Sequence, residues 1–110
     1  MLVHEPAEMG VAGAAGYSAT KAALASFTRT WAAEFGSSGV RVNGVAPGPT
    51  RTAGILAEWG EGIEELGKTL PLGRTARSAE IAEVILFLDS PRSSFVTGAT
   101  LAADGGATAI

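Results

Sequence analysis

The feature that most constrains this fold is the alternation of segments with helical periodicity and short runs with strand character. Two segments repeat apolar residues every three or four positions, as one face of an α-helix does. The first repeat consists of Leu24, Phe27, Trp31 and Phe35, and the second of Ile81, Val84, Ile85 and Leu88. Short apolar runs follow these helices at 39–48 and 99–103, and residues 1–3 could end another strand. This order of helices and strands predicts parallel α/β packing, with about two or three strands and two main helices.

Residues that stop or start helices predict the element boundaries. A glycine- and alanine-rich loop at 10–16 precedes the first helix, and Gly36 ends it as a residue free to adopt positive φ. Ser78 is the predicted N-cap of the second helix, with Glu80 in its first turn. Asp89-Ser90-Pro91 is predicted to end that helix, because the residue before a proline avoids helical geometry.

Composition limits the classes of protein that fit. The 110 residues make up one domain's worth of chain, and 46% hydrophobic against 17% charged residues exclude a disordered segment. A net charge of −3 gives no reason to expect nucleic acid as a partner, and no apolar run is long enough to span a membrane. The absence of cysteine and the single histidine, His4, argue against disulfides and metal sites. We therefore expect a cytoplasmic protein without a signal peptide.

The stretch "GYSATKAAL" holds the chain's one tyrosine, Tyr17, and Lys21 follows it four positions later. Residues four apart on a helix share a face, so the phenol and the ammonium can lie side by side. The ammonium and the helix N-terminus would both lower the pKa of the phenol, which is about 10 when free. A tyrosine tuned in this way can pass a proton to or from an alcohol or carbonyl oxygen. The alternative is an ordinary polar pair on an exposed helix.

Three sequence blocks together resemble the short-chain dehydrogenase/reductase family. "YSATK" is similar to the Tyr-x-x-x-Lys signature of that family, and "RVNGVAPGPTRT" to its Asn-x-x-x-Pro-Gly segment, through Asn43, Pro47 and Gly48. "FVTGATLAADGG" resembles the family's terminal strand with its flanking Thr-Gly and Asp-Gly-Gly turns. The blocks come in the family order and at family-like spacing over residues 10–107.

The resemblance implies a fold, a reaction and a set of site residues. It implies an NAD- or NADP-dependent oxidoreductase that interconverts an alcohol and a carbonyl, with Tyr17 as acid/base and Lys21 binding the nicotinamide ribose. The residues that would approach the nicotinamide end of the cofactor are Lys21, Pro47, Gly48, Pro49, Thr50 and Thr52. As an alternative, the Pro-Gly and Asp-Gly-Gly segments could be turns without a binding role.

The chain also departs from the family pattern. The family places a substrate-binding serine thirteen positions before the tyrosine, where this chain has His4. The glycine-rich strand–turn–helix that holds the cofactor phosphates must precede the blocks found here, and Gly10, Gly13 and Gly16 do not have its spacing. We therefore expect one partial domain over 1–110, the C-terminal part of a Rossmann-type doubly wound parallel sheet without its dinucleotide-binding half.

The segment after the Pro-Gly turn, 53–73, is where the family selects its substrate. Ile55 and Trp59 are candidate substrate contacts together with His4. The apolar residues of this segment could form a pocket wall or a lid helix that packs on the body, and lid-like connections often have such mixed composition. The sequence does not name the alcohol or carbonyl that is bound.

Three functions remain open at this level. The first is a dehydrogenase fragment with little turnover of its own, since most fixed contacts to a dinucleotide would lie elsewhere. The second is a non-catalytic module for oligomerisation or interaction, and the third is a binding domain that uses no cofactor. The apolar stripe from Leu24 to Phe35 would be partly bare, which predicts a homo-oligomer.

Overall fold

The computed structural model describes residues 2–3 and 15–109, and these form an α/β structure with parallel strands. The strands are β1 (Leu2–Val3), β2 (Gly44–Pro47), β3 (Thr50–Arg51), β4 (Ala76–Arg77) and β5 (Thr100–Ala103). The α-helices are α1 (Ala15–Phe35), α2 (Ala53–Trp59), α3 (Gly62–Lys68) and α4 (Ser78–Asp89). Short 3₁₀ turns cover Gly36–Ser38, Pro91–Ser93 and Ala107–Ala109. The predicted class and the two main helices, α1 and α4, are confirmed.

A three-stranded parallel sheet has the order β1-β2-β5. Gly44 pairs with Thr100 and Pro47 with Ala103, so β2 and β5 are in register along their whole length. A separate pair, β3 and β4, is also parallel. Because parallel strands present their carboxyl ends at one edge, the residues that follow Pro47 and Ala103 meet there, where α/β folds bind their ligands.

Helix α1 buries only two residues and leaves part of its apolar stripe exposed. Thr28 and Ala32 are its buried residues, and the Cβ of Ala32 would lie 3.3 Å from a Cβ built at Gly98, just before β5. Phe27 and Phe35 are 47% and 44% exposed. The ring of Phe27 stacks on that of Trp31 with centroids 5.0 Å apart. The predicted helix is confirmed, and its stripe is partly bare as expected.

One predicted helix boundary was wrong, and another was right for a different reason. Helix α1 ends at Phe35, directly before Gly36, as predicted. Gly36 opens a 3₁₀ turn after α1, and Gly39 is the residue with positive φ, at 76°, that ends the turn. Arg77, not Ser78, occupies the N-cap position of α4. The Ser78 hydroxyl instead donates a hydrogen bond to the carbonyl of Arg51 at 3.1 Å, which ties the start of α4 to β3.

Both predicted strands are shorter than the apolar runs that suggested them. The run at 39–48 forms a strand only at 44–47, because the backbone of Val42 is bonded to a turn instead of a neighbouring strand. The Val42 N–H donates to the hydroxyl of Thr97 and its carbonyl accepts from the N–H of Gly98. Strand β5 begins at Thr100, since the N–H of Ala99 donates to the Asn43 side chain.

Arg41, which the sequence did not single out, fastens the end of α4 to the chain that leads into β2. Its guanidinium donates to the carbonyls of Leu88 and Ser90 at 2.9 and 3.2 Å, to that of Val96 at 3.1 Å, and to the Ser93 hydroxyl at 3.0 Å. Two of these acceptors are at the C-terminal end of the helix, where carbonyls lack intrahelical partners and a cation is favourable. This contact fixes α4 relative to the sheet.

Candidate active site

Tyr17 and Lys21 lie on one face of α1, in its first two turns. The Nζ of Lys21 is 5.1 Å from the centroid of the Tyr17 ring, within the range of a cation–π contact. Tyr17 is 50% exposed, whereas Lys21 is half-buried. The helix predicted for these residues is therefore formed, and it brings the ammonium next to the phenol ring.

The Pro47-Gly48 turn follows β2 at the carboxyl edge of the sheet. The N–H of Gly48 donates to the carbonyl of Ala103 at 3.0 Å, which extends the β2–β5 ladder by one bond. A Cβ built at Gly48 would lie 2.7 Å from the Cα of Asp104 and 3.0 Å from its carbonyl oxygen. Glycine is needed here because two backbone segments approach too closely for any side chain.

The two threonines predicted to approach a cofactor have local hydrogen bonds. The Thr50 hydroxyl donates to the carbonyl of Gly48 at 2.8 Å and tightens the turn. The Thr52 hydroxyl accepts from the N–H of Ile55 at 3.1 Å as the N-cap of α2. An accepting hydroxyl keeps its own proton for donation, so Thr52 retains a donor that a ligand could use.

Asn43 is buried and fixes the position of β2. It is 4% exposed, its amide donates to the carbonyl of Val96 at 2.9 Å, and its side-chain oxygen accepts from Ala99 at 3.1 Å. The same carbonyl of Val96 also accepts from Arg41. The motif residue Asn43 thus holds the start of β2 against the segment before β5, and thereby supports the turn at the other end of β2.

The Asp104-Gly105-Gly106 turn closes the same edge of the sheet. The Asp104 carboxylate accepts from the N–H of Gly106 at 3.0 Å, from the N–H of Thr108 at 3.1 Å and from its hydroxyl at 2.7 Å. Burial acts to raise the pKa of Asp104, but the hydrogen bonds from Thr108 and Gly106 outweigh burial and lower the pKa. The carboxylate is therefore satisfied within its own turn, and Gly105 and Gly106 have the positive φ that this turn needs.

The residues predicted to contact substrate are not brought together with the tyrosine by any described contact. Ile55 is half-buried on α2, and Trp59 at the end of that helix is 54% exposed. Ile63 on α3 is 4% exposed, so this part of the segment is buried within the protein. His4 lies outside the described residues.

An ion pair between the segment before β4 and the first turn of α4 was not anticipated. The guanidinium of Arg74 holds both carboxylate oxygens of Glu80, at 2.7 and 2.9 Å. One of these oxygens also accepts from the backbone N–H of Arg77 at 2.9 Å. The hydrogen bonds from Arg74 and then from Arg77 lower the pKa of Glu80 to about 2. The sequence placed Glu80 in the first turn of α4, but it did not indicate the ion pair, because Arg74 lies six residues earlier in a loop.

We expect the stabilising effect of Glu80 to depend on pH. Because its folded-state pKa is lowered from 4.5 to about 2, its contribution is fully present above pH 4.5 and is lost as pH falls towards 2. Urea unfolding at pH 7, 4 and 2.5 should show Glu80→Gln to be less stable than the wild type at pH 7, with a difference that shrinks at lower pH. The exposed Glu83→Gln, with the same charge change, serves as control. A difference in the free energy of unfolding that stays constant from pH 7 to 2.5 would contradict the lowered pKa of Glu80.

The described residues include neither a membrane-spanning helix nor a metal-binding cluster. Their helices include none with both the length and the apolar character required to cross a bilayer. They also contain no group of three acidic, histidine or cysteine side chains placed to hold a metal ion.

Comparisons with known proteins are consistent with the geometry of this site. A family model described as enoyl-(acyl carrier protein) reductase matches residues 4–108. The chain is 44% identical over 102 residues to cis-4-hydroxycyclohexanecarboxylate dehydrogenase of Sinomonas cyclohexanicum, covering 93% of this chain and 41% of that enzyme. It is 41% identical over 97 residues to the 3-oxoacyl-acyl-carrier-protein reductase of Thermotoga maritima, covering 88% and 39%.

Solved structures resemble the whole described fold. A protein titled short chain dehydrogenase/reductase family protein superimposes with a TM-score of 0.89 at 55% identity, over 98% of this chain and 44% of that one. A family oxidoreductase from Burkholderia thailandensis gives 0.87 at 37% identity, over 98% and 43%. The chain thus spans less than half the length of these relatives.

Proposed function

Because the chain belongs to the short-chain dehydrogenase/reductase family, we propose that it is part of an NAD(P)-dependent enzyme that interconverts an alcohol and a carbonyl compound. The observation that carries this proposal is the position of the Lys21 ammonium, 5.1 Å from the centre of the Tyr17 ring at the start of α1. In the direction of oxidation, Tyr17 accepts the proton of the substrate hydroxyl. In reduction it donates the proton to the carbonyl oxygen.

Lys21 has two roles in this proposal. Its positive charge favours the ionised phenol, and its N–H groups donate hydrogen bonds to the hydroxyls of a bound ribose. Tyr17 is half-exposed, so a substrate oxygen can reach it from solvent. The pair thus provides an acid/base group and a neighbouring donor for a hydroxylated ligand.

The described residues fit the nicotinamide end of a dinucleotide. The turn at 47–49 lies at the carboxyl edge of the sheet, where such folds bind nucleotides, and Thr52 retains a hydroxyl proton beside it. The cofactor supplies or accepts the hydride when bound.

We also propose that the 110 residues are one part of a catalytic domain and turn over little substrate alone. Within residues 15–109, no glycine-rich turn leads from a strand into a helix to bind a pyrophosphate. The described part therefore offers contacts to one end of a dinucleotide, and the free energy from contacts to its phosphates and adenosine would be missing. A cytoplasmic location fits the cysteine-free, acidic composition.

We expect the chain alone to bind NADH and NADPH weakly. Titration of either reduced cofactor to about 100 µM should leave the fluorescence of Trp31 and Trp59 unchanged after correction for absorption, since typical dinucleotide affinities need both ends of the molecule. Saturable quenching in the micromolar range would contradict this expectation.

A chimera tests the proposed activity itself. The aligned part of this chain, except position 4 and the substrate-selecting segment 53–73, would replace the corresponding residues of the cis-4-hydroxycyclohexanecarboxylate dehydrogenase, which is 44% identical to it. We expect the folded chimera to oxidise the substrate of that enzyme with NAD or NADP. A chimera that folds, binds the cofactor and shows no turnover would argue against the proposed chemistry.

The second candidate function is a non-catalytic oligomerisation module, favoured by exposed apolar surface. Phe27 and Phe35 on α1 are nearly half-exposed, and β5 lies at the edge of the β1-β2-β5 sheet with Leu101 39% exposed. Such surfaces tend to pair with another copy of the chain. Light scattering should therefore give a homo-oligomer, which is compatible with either function. Oligomerisation combined with an inactive chimera would favour the module.

A further inference from the structure

A pocket of about 490 Å³ lies between the turn after β2, the segment before β4, the first turns of α4 and the turn after β5. Its apolar lining includes Pro49, Leu70, Leu72, Ile81, Val84 and Ala103. It shares Gly48 and Pro49 with the proposed cofactor turn, whereas Tyr17 and Lys21 are not among its lining residues. Its volume is in the range of small-molecule sites, and its apolar walls with a few polar groups are typical of them.

The charged groups that line this pocket are already compensated within the protein. Both terminal nitrogens of Arg74 bind the carboxylate of Glu80, at 2.7 and 2.9 Å. The Asp104 carboxylate accepts three hydrogen bonds from Gly106 and Thr108. An anionic ligand would meet a guanidinium whose charge Glu80 already neutralises and would be repelled by the nearby carboxylates, whereas an uncharged ligand only covers apolar wall.

We propose that this pocket binds a small, uncharged, mainly apolar molecule, and that the Arg74–Glu80 pair excludes carboxylates of the same shape. The site goes beyond the proposed hydride-transfer function, because the acid/base pair takes no part in it. The Arg74–Glu80 ion pair sets the charge preference, because Glu80 neutralises the Arg74 guanidinium, which would otherwise attract an anion. Since Gly48 and Pro49 line the pocket, a bound molecule contacts the back of the turn proposed for the cofactor.

Cyclohexanol and cyclohexanecarboxylate are matched probes for this proposal, because they share a ring and differ in charge at pH 7. Saturation-transfer NMR titrations on the 110-residue chain should show saturable cyclohexanol binding with a Kd of about 1 mM, as expected for so small a ligand. The Kd of cyclohexanecarboxylate should be at least about fivefold higher. Val84→Phe should fill the pocket and weaken cyclohexanol binding at least about fivefold. Ala82→Phe, on the exposed part of the same helix, should leave it unchanged.

A second pair of variants tests the charge preference without filling the pocket. Glu80→Gln keeps an oxygen that can cap α4 but removes the charge that neutralises Arg74, so cyclohexanecarboxylate should bind about fivefold more tightly or better. Glu83→Gln, an exposed neighbour with the same charge change, should have no effect. Circular dichroism checks that each variant folds. If Val84→Phe does not fold, the comparison of Glu80→Gln with Glu83→Gln tests the proposal without it.

Three results would overturn the proposal. The first is the absence of saturable cyclohexanol binding to the wild type. The second is equal binding of cyclohexanol and cyclohexanecarboxylate. The third is an identical response of the carboxylate to Glu80→Gln and Glu83→Gln, which would show that the Arg74–Glu80 pair does not set the preference.

Discussion

Replacing Tyr17 by Phe in the chimera should lower kcat by about 10²- to 10⁴-fold, the usual contribution of a positioned acid/base group. The substitution removes one hydroxyl from a side chain that is half-exposed on α1, so the ring and its contact with Lys21 remain. Cofactor binding and the free energy of unfolding should therefore change little. Steady-state kinetics with varied cofactor concentration give kcat and the KM for the cofactor, and urea unfolding gives the free energy of unfolding.

Ser18→Ala is the matched control for this experiment. It removes a hydroxyl from the neighbouring position of the same helix, and Ser18 has no role in the proposed proton transfer. It should change kcat by less than about threefold, well below the loss expected from the acid/base group. A Tyr17→Phe chimera that keeps wild-type turnover would show that the phenol is not the acid/base, whatever the family of the chain.

Replacing Gly48 by Ala should destabilise the chain by about 3 kcal/mol, as forced overpacking against backbone does. The added Cβ would lie 2.7 Å from the Cα of Asp104, and neither backbone segment can move without breaking the bond from Gly48 to Ala103. Urea unfolding of the 110-residue chain at pH 7, followed by circular dichroism, measures the change.

Gly54→Ala provides the comparison for this second prediction. Gly54 is on α2, where an added Cβ would meet only the Thr52 hydroxyl oxygen, at 4.0 Å. Alanine is the better helix former there, so this variant should be as stable as the wild type or more stable by up to about 1 kcal/mol. Equal stability of the two alanine variants would mean that the close approach at Gly48 is not maintained in solution.

The periodic elements could be predicted from sequence because their signals are local. The stripe from Leu24 to Phe35 and the repeat from Ile81 to Leu88 both formed helices, α1 and α4. Parallel packing followed from the order of helices and strands. The Tyr17–Lys21 juxtaposition followed from helical spacing alone, since four residues bring side chains onto one face.

Features that depend on distant partners could not be read from the sequence in this way. Arg41 contacts acceptors 47 to 55 residues away, and the bond from the N–H of Ala99 to the Asn43 side chain spans 56. This bond shortened β5, and the bonds of the Val42 backbone to Thr97 and Gly98 shortened β2, because both supply partners outside the sheet. Serine is a residue type favoured at N-caps, yet the Ser78 hydroxyl donates to the carbonyl of Arg51 in another element, 27 residues earlier.

The most direct test of the central claim is a spectrophotometric titration of the only tyrosine in the chain. A cation 5.1 Å from the ring centroid should favour the phenolate, so Lys21→Met should move the ionisation midpoint of Tyr17 to higher pH. Lys68→Met removes the other lysine, on α3, and should leave the midpoint unchanged. An unchanged midpoint in Lys21→Met would contradict the claim that Lys21 tunes Tyr17 for proton transfer.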